Sequence, residues 1–190
     1  MILFFDTETN GLPYSWTAPL EELQNWPRLV QLAWLVCDES GEEVNRGNEI
    51  IYPVNFDIPD EAAEIHGITT ARAMEEGKYI EDVMPKFLQD IKRSNLLVAH
   101  NIAFDEKIMG AELLRLEMDP NLIEISKLCT MKRTTRFCNL PGRYGGLKWP
   151  KLSELHQILF KEDFDNAHDA LADVIACARC YWKLKELHLV

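Results

Sequence analysis

No stretch of these 190 residues approaches the unbroken apolar length of a membrane span, and the amino terminus has no basic segment leading into a long apolar run and a small-residue cleavage site. No membrane partner is expected, and a cytoplasmic location is. Cysteine is scarce: there are five, an odd number, at spacings that suggest no disulfide framework, which fits a reducing compartment. Cys177 and Cys180 form a CxxC, but no second pair stands nearby to complete a zinc shell, and both fall in a helical apolar pattern, so they are expected to face the core. Positive charge is also scarce, with 20 Lys and Arg against 31 Asp and Glu and a net charge of −11. Spread evenly, that balance would argue against a nucleic-acid partner. Repeats, low-complexity tracts and linkers are absent as well, and the length suits a single domain over residues 1–190.

The few cations are not spread evenly. From Lys127 to Lys151 there are seven (Lys127, Lys132, Arg133, Arg136, Arg143, Lys148, Lys151) and no acid, interleaved with Phe137, Tyr144 and Trp149. Such a strip could follow a phosphate backbone while its aromatics stack on bases. A solvated surface helix and loop would show the same composition, so the charge run does not decide alone.

Periodicity gives an alternating order of elements. Ile2–Phe5 reads as a strand buried on both faces, Leu29–Cys37 as a second, and the Asp38–Gly41 turn leads to a third near Glu49–Tyr52. Between the first two lies a proline-rich segment, Pro13–Pro27, expected as a surface loop with a short helical turn. Helices are expected over Pro59–Glu64, Thr69–Glu76, Ile80–Ile91, Ala103–Leu116, Lys151–Phe160 and roughly His168–Leu187, with strands at Leu96–Ala99 and Ile125–Cys129. Strands first, then strands alternating with helices, imply an α/β domain on one mixed sheet.

The chemistry begins at the end of the first strand. Residues i and i+2 of a strand share a face, so Asp6 and Glu8 project together, where two anions repel and are costly to bury. Hard oxygen ligands on one face suit a divalent cation such as Mg²⁺ or Mn²⁺. Leu97–Met109 repeats the logic, with a buried strand running through His100 and Asn101 into a helix that carries Asp105. Alone, Asp105 reads equally well as a helix-start acid favouring the dipole. Near the carboxyl terminus Asp173 lies in the apolar pattern of Ala170, Val174, Cys177 and Tyr181, with His168 at the helix start, where a cap or surface residue is also common.

Taken together, D-x-E after an apolar strand (Asp6, Glu8), H-N-x-x-F-D (His100 to Asp105) and H-D-A-x-x-D (His168 to Asp173) resemble, in this order and spacing, the three motifs of the DEDDh, or DnaQ-like, 3′–5′ exonucleases. That family includes the bacterial polymerase III proofreading subunit, ribonuclease T, oligoribonuclease and the TREX enzymes. The segment Ile65–Thr69, IHGIT, is similar to a further family motif, and the resemblance runs from Ile2 to about Trp182. It implies a ribonuclease H-like fold, a mixed five-stranded sheet flanked by helices with its second strand antiparallel. It also implies two divalent metal ions, Mg²⁺ or Mn²⁺, held by Asp6, Glu8, Asp105 and Asp173, with His168 as general base. The substrate implied is nucleic acid with a free 3′ end, releasing nucleoside 5′-monophosphates. Leu12, Ile65, His66, Asn101 and Phe104 match substrate-contacting positions, and Lys132, Arg133 and Arg136 fall where relatives place cationic contacts to the backbone. Single-stranded DNA is the expected substrate; an RNA-trimming enzyme, a DNA polymerase as partner and a non-catalytic scaffold are the alternatives the motifs leave open.

Overall fold

The computed structural model describes residues 1–164 and 168–190; Asp165, Asn166 and Ala167 fall outside it. Five strands form one sheet in the order β3-β2-β1-β4-β5: β1 Ile2–Thr9, β2 Leu29–Cys37, β3 Glu43–Ile50, β4 Leu96–Ala99 and β5 Ser126–Cys129. β2 runs antiparallel to both β1 and β3, while β1, β4 and β5 are parallel, giving the mixed sheet of the ribonuclease H-like fold. The helices are α1 Asp60–His66, α2 Thr70–Glu76, α3 Ile80–Arg93, α4 Ile102–Arg115, α5 Thr130–Cys138, α6 Leu152–Phe160 and α7 Ala170–Glu186. Among the described residues no helix is long and apolar enough to cross a membrane.

β1 is apolar throughout its first half because both its faces are covered. Leu3 and Phe5 pack with Met84, Phe87 and Ile91 of α3 and Ile108 and Met109 of α4, while Ile2 and Phe4 face Val174, Cys177 and Tyr181 of α7. The Phe4 and Tyr181 rings meet edge to face at 5.3 Å. Burying side chains of this size contributes about 1.5–3 kcal/mol each. The same alternation orients the second half of the strand: Asp6 and Glu8 continue the Phe4 face toward α7, and Thr7 and Thr9 the Phe5 face toward α4. Cys177 and Cys180 are both buried and free, Cys177 against the sheet and Cys180 between α6 and α7 with Leu155 and Leu184.

Three elements differ from the sequence expectation. β1 does not stop at Phe5 but continues to Thr9, paired throughout with β2, so both carboxylates sit inside the strand and not beyond it. The third strand is Glu43–Ile50 and not Glu49–Tyr52; it is an edge strand of mostly exposed polar residues, which hides its alternation. Its register depends on Gly47, opposite Trp34, since a Cβ there would lie 2.2 Å from the buried indole. α5 occupies the start of the cationic strip; its buried face is Thr130, Met131, Thr134 and Cys138, and the threonines conceal a helical period.

Candidate active site

Because β1 and β4 are parallel, with Phe4 beside Val98, the carboxyl ends of both strands open on the same edge of the sheet. Ligand sites of open α/β sheets lie at such edges. β1 delivers Asp6 and Glu8 there, the first turn of α4 delivers Asp105 and the first turn of α7 delivers Asp173. Asp105 is buried, and one carboxylate oxygen accepts both the backbone N–H and the hydroxyl of Thr7, at 3.1 and 2.8 Å. Thr7 thus holds the third acid against the strand that carries the first two.

Among the described residues nothing basic offsets this cluster except His168. Burial raises the Asp6 carboxyl well above the usual range, with further contributions from Asp105, Asp173, Glu8 and Asp169. Glu8 is pushed up to about 8 by burial and then by Asp173, Asp105 and Asp169. Asp105 is raised to about 7 by burial, which outweighs the lowering by its Thr7 hydrogen bonds, and Asp173 to about 6 by burial, with the backbone N–H and the charge of His168 lowering it. Ligand atoms of Glu8, Asp173 and His168 lie within 4.8 Å of one another. Converging carboxylates with no lysine or arginine among the described residues to neutralise them are the donor set that a hard divalent cation fits.

The turn before α7 is built to present its residues. His168 has a left-handed φ of 73°, and its N–H donates to Asp173 at 3.1 Å. Asp169 caps the helix by accepting the N–H groups of Leu171 and Ala172. Gln31 of β2, paired opposite Glu8, ties that turn to the sheet: its Nε2 donates to Asp169 at 3.3 Å and to Asn48 at 2.9 Å, and its Oε1 accepts the N–H of Ala170 at 3.2 Å. Thr7 and Gln31 escape a reading by motif, and Asp169, although a letter of the H-D-A-x-x-D motif, is given no role there. The available signal was a lone polar residue, Gln31, in an otherwise apolar strand.

Beside the acids is a cavity of about 450 Å³. Leu12, Ile65, His66 and Phe104 all line it, with Glu8 at its edge, so the structure brings these four sequence candidates together. Leu12 and Ile65 are exposed, while His66 is buried with its Nδ1 accepting the N–H of Ile68. Asn101 does not line the cavity. It takes a left-handed φ of 72° at the start of α4, where its carbonyl accepts the N–H of Phe104, and so directs the helix that carries Phe104 and Asp105.

The cationic strip starts at the same edge. His100 donates its Nε2–H to the carbonyl of Pro150 and accepts the hydroxyl of Thr130, first in α5, at Nδ1, both at 2.9 Å, with the carbonyl of Ala99 3.3 Å from the same hydroxyl. Burial lowers the His100 imidazole to about 4, as suits a neutral pin. Lys127 is paired with Glu106 and Glu124, and Lys148 with Glu154. Lys132, Arg133 and Arg136 are exposed on α5 and make no ion pair among the described residues, although Arg133 Nε donates to the carbonyl of Leu189.

The raised carboxyls carry a stability signature. Between the ordinary glutamate value of 4.5 and about 8, Glu8 holds a proton in the folded state that it has lost in the unfolded chain, so stability falls as pH rises through that window. Asp6 and Asp105 act in the same direction. His100, lowered to about 4, acts oppositely, but only below its ordinary value of 6.5. Without metal, the protein should therefore lose on the order of 2 kcal/mol between about pH 6.5 and about pH 8.5, some 4–8 °C in Tm for a chain of this length. Saturating Mn²⁺ should abolish the loss. Thermal melts with EDTA and with Mn²⁺ check this, and equal pH slopes in the two would count against the site.

A sequence model of the RNase_T exonuclease family matches residues 3–181. No curated protein matches. Among solved structures, Escherichia coli exonuclease I in complex with a dA16 oligonucleotide is 20% identical with a TM-score of 0.77, covering 99% of this chain and 42% of that one. Its zinc-bound complex with single-stranded DNA is 23% identical with a TM-score of 0.73, covering 98% and 40%. Exonuclease I of Methylocaldum szegediense is 23% identical with a TM-score of 0.74, covering 97% and 40%. The chain spans about two fifths of the length of these proteins, whose fold it shares.

Proposed function

The chain belongs to the RNase_T exonuclease family, and from that premise we propose that it is a metal-dependent 3′–5′ exonuclease of single-stranded DNA that releases nucleoside 5′-monophosphates. The observation that carries the reading is the convergence of Asp6, Glu8, Asp105 and Asp173 on one sheet edge beside a cavity lined by Leu12, Ile65 and Phe104. DNA is favoured because exonuclease I, with the same fold, binds dA16 and dT13 oligonucleotides.

In this reading the four acids hold two divalent ions, Mg²⁺ or Mn²⁺, and His168 is the general base. Such ions supply an activated water and neutralise charge on the scissile phosphate and the departing oxygen. Thr7 fixes Asp105, and the Gln31–Asp169 link fixes the turn bearing His168. An imidazole is the side chain suited to taking a proton from water near neutral pH, and His168 stands next to Glu8 and Asp173, where that proton is released. The cavity falls within the range of small-ligand sites and would take the terminal nucleotide, with Leu12 and Ile65 against its base. End selectivity comes from that pocket: a chain end enters it and an internal bond does not.

The test is a 5′-labelled single strand carrying either a 3′-hydroxyl or a 3′-phosphate, run beside an RNA of the same sequence and a circular single strand, with Mg²⁺. Stepwise shortening of the hydroxyl DNA is expected. The 3′-phosphate should block, since it adds negative charge where carboxylates already crowd. Cutting of the circle would mean an endonuclease, and faster shortening of RNA would reassign the substrate.

In this reading Lys132, Arg133 and Arg136 of α5 contact the substrate backbone. Replacing Lys132, Arg133 and Arg136 together by Ala should weaken oligonucleotide binding and reduce the salt slope by roughly 0.7 per lost phosphate contact to a single strand. Binding titrations across a salt series measure it. An unchanged slope would return the strip to an ordinary solvated face.

A further inference from the structure

The Pro13–Pro27 loop is not explained by the site described so far. It is held rigidly. Ser15 N–H donates to Asn25 Oδ1 at 2.7 Å and Asn25 Nδ2 donates back to the Ser15 carbonyl at 2.9 Å, closing the loop on itself. Arg115 of α4 donates to the carbonyls of Leu23 and Trp26 at 2.6 and 2.7 Å. The Trp26 ring is sunk into a small core with Ala18 and Ala111, and its Nε1 donates to the Pro19 carbonyl. Leu20 lies against Gly110 so closely that a Cβ there would be 2.9 Å from it. The loop is thus fastened to the helix whose first turn carries Phe104 and Asp105.

On this fixed base the loop's other tryptophan, Trp16, points outward. Trp16 is 59% exposed, and its ring packs on Phe104 at 5.8 Å between centroids with the planes at 51°. Phe104 lines the nucleotide cavity and Trp16 does not, so Trp16 stands just outside the cavity wall. A large aromatic ring held in water by an ordered backbone gives up most of the burial it could contribute to folding. A planar apolar ligand would recover it.

We propose that Trp16 is a stacking platform for the first nucleobase outside the cavity, making the Pro13–Pro27 loop part of the substrate-binding surface. The proposal rests on the exonuclease reading for its ligand, a single-stranded nucleic acid. Recognition by a ring face tolerates any base, and so gives grip on the strand without sequence preference.

The test is a cycle between the residue and the base, read as binding so that it does not depend on turnover. A 5′-fluorescent single-stranded DNA decamer, intact or with an abasic residue second or third from its 3′ end, is titrated by anisotropy with wild type, Trp16→Ala and Trp16→Phe, with Ca²⁺ replacing Mg²⁺. In wild type, one of the abasic decamers should bind roughly 5- to 100-fold more weakly than the intact one, the range that stacking on an aromatic ring supplies. Trp16→Ala should bind the intact decamer that much more weakly and lose nothing further with the abasic one, and Trp16→Phe should keep most of the grip. An equal abasic penalty in wild type and Trp16→Ala, or unchanged binding by Trp16→Ala, would overturn the proposal, as would no binding at all. Trp16-dependent binding by a wild type that leaves the labelled DNA uncut with Mg²⁺ would uphold the platform and sink the exonuclease reading. A 3′–5′ ladder without Trp16 dependence would do the reverse.

Discussion

Asp6→Ala should leave a folded protein that, with Mg²⁺, keeps no more than about 1% of wild-type nucleotide release, the scale of losing one preorganised electrostatic element of a site. Asp6 feels the other three acids: after burial, Asp105, Asp173 and Glu8 each raise its carboxyl. Removing it takes a ligand away and relieves repulsion at once. The variant should therefore melt higher than wild type in EDTA near pH 8 and gain less from Mn²⁺. Activity above a few per cent of wild type would mean that the metal is held elsewhere. A variant that unfolds in EDTA would show instead that Asp6 is a structural residue, contrary to the charge argument.

His168→Ala should reduce turnover by about 10²–10⁴-fold, the usual contribution of a positioned base, and flatten the acid limb of the pH–rate profile when metal is saturating, so that proton competition at the raised carboxyls does not contribute. The geometry sharpens this prediction, because the imidazole is close enough to Glu8 and Asp173 to be a ligand itself. A base and a ligand differ in what their loss does to metal affinity. Mg²⁺ and Mn²⁺ favour oxygen donors, so Mn²⁺ binding to His168→Ala should match wild type. Lost turnover together with lost Mn²⁺ affinity would make His168 a ligand and move the base elsewhere.

The strongest parts of the fold were legible because they rest on short-period physics. The sequence pattern of β1, apolar and then acid-Thr-acid, encodes two covered faces and two carboxylates on one of them, and the sheet realises it. Cys177 and Cys180 read as core, and both are buried. What escaped was polar. Thr7 and Thr9 extend β1 through β-branched side chains without apolar signal. β3 is an edge strand whose pairing depends on a glycine making room for Trp34, a relation between strands that periodicity along the chain does not report. α5 buries threonines, with Thr134 donating to the carbonyl of Thr130 within the helix. In the site, the acids and His168 were visible as motif positions, whereas the link from Gln31 to Asp169 joins residues 138 positions apart in the chain. Such supporting partners become apparent only when the chain is folded.

The central claim is that Asp6, Glu8, Asp105 and Asp173 form a divalent-metal centre, and calorimetric titration of Mn²⁺ into the metal-free protein tests it most directly. Two ions per chain should bind wild type near neutral pH, with protons released from the raised carboxyls so that the heat varies with buffer ionisation enthalpy, and Asp6→Ala should lose at least one of them. Equal binding by wild type and Asp6→Ala, or no binding by either, would contradict the account.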